Sequence, residues 1–154
     1  MRLSILASLL FLTILSGEVV AQTANPNYDP KLAAKLGADD YGMKSYIFVI
    51  LKSGSNASTD KDARNKAFTG HMTNIRRLVD DGKLILAGPF GKNDKDYRGL
   101  FLLDVKTLEE ANVLLQTDPA INEDYLKAEL TEWYGSAAIA SYLNDSDKIW
   151  KIKP

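Results

Sequence analysis

The chain has 154 residues, a formal net charge of −1, one histidine and no cysteine. The near-neutral charge argues against electrostatic binding to nucleic acid or anionic lipid. The absence of cysteine excludes disulfides, thiolate metal ligands and cysteine nucleophiles.

The first stretch, "MRLSILASLLFLTILSGEVVAQ", carries Arg2, an apolar run from Leu3 to Leu15, and Val19-Val20-Ala21 before Gln22. The run is short for a membrane span, and the order of charge, apolar run and small-residue end is that of a secretory signal peptide. Residues 1–21 are therefore expected to be removed. The mature protein is then exported, periplasmic or secreted, with no membrane partner after cleavage. Residues 22–154 suit one domain with a core of its own.

Residues 22–43 read as an N-terminal arm: Asp29 caps a short helix, Pro30 takes its first position and Gly37 ends it. "SYIFVILK", Ser45 to Lys52, is β-branched and aromatic without polar alternation, which predicts a strand buried on both faces. "SGSNASTD" is a loop whose Thr59 or Asp60 caps a helix over Lys61 to Asp81. Phe68, Met72, Ile75, Leu78 and Val79 recur there at steps of three and four, and Gly82 closes the helix. Gly70 within it costs about 1 kcal/mol relative to Ala and leaves room for another backbone or a ligand to approach beside His71.

"KLILAGPF" predicts a second strand that stops at Gly88-Pro89. A polar turn over Gly91 to Asp96 leads into a third strand, "YRGLFLLDV". "TLEE" at 107–110 is a capping box opening a helix through about Gln116. In "TDPAI", Asp118 is an N-cap with Pro119 at the first helical position. "YLKAELTEWY" alternates Leu126, Ala128 and Leu130 with polar residues, as a half-exposed strand does. The order βαββαβ predicts a ferredoxin-like α+β unit with both helices on one face of an antiparallel sheet. "YIFVIL" and "LFLLDV" are apolar on both faces, so the other side of the sheet needs a cover. A second copy, giving a homodimer through sheet faces, is the favoured cover. The tail from residue 139, with Tyr142, Ile149 and Trp150, is the competitor.

Taken together and in order, "SYIFVILKSG", "HMTNIRRLVDDGKLILAGPF", "RGLFLLDVKTLEEANVLL", "TDPAI" and "ELTEWYGSAA" resemble the YCII-related proteins, over a domain of residues 44–138. The resemblance implies a dimeric α+β barrel. It also implies a site built on a His–Asp pair, which falls on His71 and Asp118, and one branch of that family is similar to dehydrochlorinases of chlorinated hydroxyquinols. Some relatives carry an Arg three residues before the histidine. Here Phe68 stands in that place, and Arg64 lies one turn further back.

The chemistry open to such a pair is proton abstraction. Imidazole is the side chain whose ordinary titration suits a base near neutral pH, and a carboxylate on one ring nitrogen fixes its tautomer. Elimination, isomerisation or hydrolysis of a small, partly apolar molecule fits the apolar surroundings. Gly70, Gly88, Pro89, Phe90 and Arg98 are the candidate ligand-binding residues. No nucleophile elbow, dinucleotide fingerprint or P-loop occurs, and a lone histidine makes a metal site a poor fit. The expected enzyme therefore uses no cofactor. A plainer account stays open at this point: His71 as a satisfied core imidazole, Asp118 as a cap alone, and Arg64, Arg76 and Arg77 as solvated helix charges. On that account the chain is a non-catalytic module, binding a small ligand or serving as a structural dimer.

Overall fold

A computed structural model describes residues 25–146 and 148–151; the expected signal peptide lies outside them. The arm helix α1, Pro30–Leu36, is capped by Asp29, whose carboxylate accepts from the amides of Lys31 and Leu32. Strand β1, Met43–Ser53, leads through a loop to α2, Lys61–Asp80. Strands β2, Leu84–Pro89, and β3, Tyr97–Leu103, follow. Next come α3, Leu108–Leu115, and α4, Pro119–Asn122. Strand β4, Leu126–Ser136, runs into a 3-10 helix, Ala137–Tyr142, and then α5, Leu143–Ser146.

The four strands form one antiparallel sheet in the order β2-β3-β1-β4. That is the ferredoxin-like arrangement: β1 and β3 take the centre, each paired on both sides, and β2 and β4 take the edges. Pro89 sits at the end of edge strand β2, where its missing N–H removes no bond from the sheet interior. None of the described helices is long and apolar enough to cross a membrane.

The inner face presents Ile47, Val49, Leu51, Leu84, Phe101 and Leu103 to the helices, where Ala67 and Leu78 of α2 and Ala111 and Leu115 of α3 close the core. The buried ridge of α2 differs from the expected one. Ala67, His71, Asn74 and Leu78 are buried, whereas Met72 and Val79 are exposed. The helix is rotated so that two polar residues face inward, because both find polar partners there.

On the outer face, Tyr46, Ile85 and Leu102 are buried under Ile139 and Ala140 of the C-terminal segment. The Tyr46 hydroxyl donates to the carbonyl of Ser136 at 2.9 Å, and that of Tyr142 donates to the carbonyl of Ile85. The tail thus covers one end of this face within the chain itself. Phe48, Ile50 and Leu100 stay half-buried, and Leu86 and Trp133 are exposed.

The arm is tied to the sheet edge by Asp39, whose carboxylate accepts from the amides of Tyr41 and Met43 and from the Tyr134 hydroxyl. The Tyr134 bond, then the Met43 amide, hold the Asp39 carboxyl below its ordinary value, and the same bond to Asp39 raises the Tyr134 phenol. A carboxyl lowered on folding contributes stability that is complete above its ordinary value, about 4, and is lost as pH falls through the folded value. Tyr134→Phe is therefore expected to move the Asp39 titration back up. It should also reduce the loss of stability on acidification, read as denaturant midpoints at pH 6 and pH 3.

Candidate active site

His71 lies in the middle of α2, on the ridge that meets the sheet. Its ring stacks on Phe101 of β3, with centroids 5.8 Å apart and planes 23° apart, and meets the edge of Phe68 at 6.1 Å. Asp118 ends the α3–α4 connection. Its Oδ1 accepts from the amide of Ala120 at 2.9 Å, which caps α4. Its Oδ2 lies 2.7 Å from His71 Nδ1. The carboxylate is fully buried and the histidine nearly so. A carboxylate can only accept, so the contact places a proton on Nδ1.

The other ring nitrogen, Nε2, has no hydrogen-bond partner among the described residues, yet no buried side-chain nitrogen or oxygen is left unpartnered. Nε2 is therefore open to the space beside it. That space is a cavity of about 580 Å³ between α2 and the β2–β3 side of the sheet. Leu51, Phe68, Met72, Ile75 and Phe101 form its apolar wall, and His71 and Arg98 are its titratable lining residues. Arg98 is held by Ser53, which accepts from its Nε at 2.7 Å, and by Asp96 at 3.3 Å.

The candidate ligand residues divide. Gly88, Pro89 and Arg98 line this cavity. Gly70 does not: a Cβ there would stand 2.7 Å from Cγ of Pro119, so the glycine serves the close approach of α2 to α4. Phe90 also lies off the lining and packs against Tyr97, 5.8 Å between centroids. Arg64, one turn back from Phe68, spreads its guanidinium over the Phe68 and Tyr125 rings at 5.0 and 5.6 Å. It is not among the residues that line the cavity.

Asn74 carries no motif that singles it out in the sequence. It is buried, and its Nδ2 lies 3.4 Å from Asp118 Oδ2. Its Oδ1 accepts from Arg77 at 2.8 Å and faces the Thr117 hydroxyl at 3.0 Å. Arg77 thus donates into this buried chain while its side chain stays exposed and pairs with Asp81 at 2.9 Å. A faint signal was present: an amide three residues beyond a histidine and three before an arginine, on a helix face that should otherwise be apolar.

A second cleft, about 600 Å³, lies at the other end of the strands among Lys44, Lys83, Lys106, Asp104 and Glu110. Lys44 pairs with Asp104 and Lys83 with Glu110, so its charges are largely matched internally. It offers no imidazole. Among the described residues, no three His, Asp or Glu side chains gather as metal ligands.

No family model matches the chain, and no curated protein matches it. A similar solved structure is the 5-chloro-2-hydroxyhydroquinone dehydrochlorinase of Burkholderia phenoliruptrix AC1100, in complex with 2,5-dihydroxybenzoquinone. Identity is 19%, the match covers 56% of this chain and 92% of that one, and the TM-score is 0.41.

Gly70→Ala tests how tightly the pair depends on the α2–α4 contact. The added methyl should gain about 1 kcal/mol in helix propensity and lose about 1–3 kcal/mol by overpacking against Pro119. The expected net result is a lower urea midpoint, together with a shifted His71 ring resonance in NMR.

Proposed function

We propose that the chain is a cofactor-free enzyme in which His71 abstracts a proton from a small, partly apolar molecule, with Asp118 as the group that orients the ring. The observation that carries this reading is the buried contact of His71 Nδ1 with Asp118, beside a cavity into which Nε2 is free to point. The apolar wall excludes water from a bound molecule, which strengthens electrostatic interactions inside the site. Arg98 at the rim suits a substrate bearing an oxygen or a negative charge. As the ring takes a proton on Nε2, the Asp118 carboxylate stabilises the imidazolium that forms. The abstracted proton leaves a carbanion or enolate, or a hydroxide equivalent from water. Elimination, isomerisation and hydrolysis each continue from there. The YCII-related resemblance and its implied His–Asp site point to the same two residues.

The reaction can be tested before its substrate is identified. Small carbonyl and phenolic compounds are incubated in D2O with the protein, and exchange of carbon-bound hydrogen is followed by NMR. The wild type is expected to accelerate exchange on at least one of them and His71→Gln to abolish that acceleration. Exchange that persists unchanged in His71→Gln would sink the proposal. Because His71 is the sole histidine, diethyl pyrocarbonate reports its nucleophilicity directly. Asp118→Asn should slow acylation by about tenfold, the scale of one charge-assisted hydrogen bond.

Assembly and export belong to the same proposal. A homodimer through the outer sheet face would cover the half-buried Phe48, Ile50 and Leu100 and the exposed Leu86 and Trp133. Sedimentation equilibrium should give twice the chain mass for the wild type and the single mass for Leu86→Lys. A monomeric wild type would exclude the dimer. Export with loss of residues 1–21 predicts that the mature protein begins at Gln22, which N-terminal sequencing reads.

A further inference from the structure

We infer that Asn74 is a positioning residue for the His71–Asp118 pair, with Arg77 fixing the direction of its amide. The inference rests on the proton-abstraction reading above and adds a third member to its machinery. Three polar side chains are buried among the described residues, His71, Asn74 and Asp118, and they form one connected chain. Burying an amide is costly unless its groups are bonded. Asn74 shares the buried ridge of α2 with Ala67 and Leu78, so an apolar residue would serve if packing were the only demand.

Chemistry dictates the orientation of the amide. A guanidinium has donors and no acceptor, so the 2.8 Å contact with Arg77 must be made by Asn74 Oδ1. The Thr117 hydroxyl gives its proton to the Leu114 carbonyl at 2.6 Å and accepts from Arg77 at 2.8 Å, so the assignment rests on Arg77. Nδ2 is then turned toward Asp118 Oδ2, at 3.4 Å. With the Ala120 amide on Oδ1, both oxygens of Asp118 are held from outside the histidine. The carboxylate cannot rotate away from His71, the proton stays on Nδ1, and the Nε2 lone pair stays directed at the cavity. The contact at 3.4 Å is long, so its contribution lies more in the direction of the amide dipole than in bond strength. Arg77, paired with Asp81 at the surface, anchors the chain at its far end.

The experiment uses the full chain and the acylation of its sole histidine by diethyl pyrocarbonate at neutral pH. Asn74→Asp is isosteric and keeps the acceptor for Arg77, but presents an acceptor where Asp118 needs a donor. Asn74→Leu removes the amide at similar volume. Arg77→Gln releases the amide from the surface without opening the core. Near-UV circular dichroism checks folding. The expected result is acylation slowed about threefold to tenfold in either Asn74 variant, and about twofold in Arg77→Gln, as for loss of one modest hydrogen bond. Nitrogen-15 spectra of the neutral ring should show its proton on Nδ1 in the wild type and divided between Nδ1 and Nε2 in the variants. If folded Asn74→Asp and Arg77→Gln keep the wild-type rate and tautomer while Asp118→Asn slows, Asn74 is only packing and the inference is overturned. If Asp118→Asn also leaves both unchanged, the His–Asp reading itself is what fails. Should the Leu variant not fold, the isosteric and surface variants decide.

Discussion

The Asp118 carboxylate is the constraint on which the site depends. It is fully buried, and a buried carboxylate without partners is among the most costly groups a fold can contain. One oxygen is satisfied by the first turn of α4 and the other by α2, through His71 and Asn74. Local and long-range structure therefore share one side chain. The cap that starts α4 is also the group that orients the imidazole, and neither can shift without exposing the other. Gly70 follows from the same constraint, because α2 must come close enough to Pro119 for the ring to reach the carboxylate.

This demand also explains the rotation of α2. A helix facing a sheet would ordinarily bury its most apolar stripe. Here the stripe through Met72 and Val79 is turned partly outward so that His71 and Asn74 can turn in. Phe68 and Ile75, half-buried against the core, and the exposed Met72 form one wall of the cavity, facing the β2–β3 side of the sheet. A polar ridge that seeks its partners and an apolar wall left beside it are two consequences of one helix orientation.

The opposite face of the sheet shows a different compromise. The central strands are apolar on both faces, which leaves a hydrophobic outer surface. The C-terminal segment covers the end near Tyr46 and Leu102, with the Tyr142 hydroxyl anchored on the backbone of β2. The end bearing Phe48, Ile50 and Leu100 is only half-buried. The arm is tied to the opposite edge through Asp39 and Tyr134 on β4, so both added segments brace the sheet from outside its core.

Much of the fold was legible in the sequence because its signals are local. The caps at Asp29, Asp60, Thr107 and Asp118, the apolar central strands and the alternation in β4 each follow from backbone chemistry within a few residues, and the observed elements match them closely. The strand order is that of the ferredoxin-like unit which the βαββαβ succession predicts. His71 stood out by its rarity, and Asp118 by its capping position together with the family resemblance. Other features required tertiary structure. Asn74 and Arg77 look like ordinary helix residues until Asp118 arrives from 44 positions beyond Asn74. The separate placements of Gly70 and Phe90, away from the cavity, depend on which surface α4 and Tyr97 occupy. The sequence alone determined the elements, their order and the identity of the one imidazole, because those depend on neighbours along the chain. Only the tertiary structure decided which nitrogen is bound, which is free and what holds the carboxylate in place, because those depend on distances between residues that the chain itself keeps far apart.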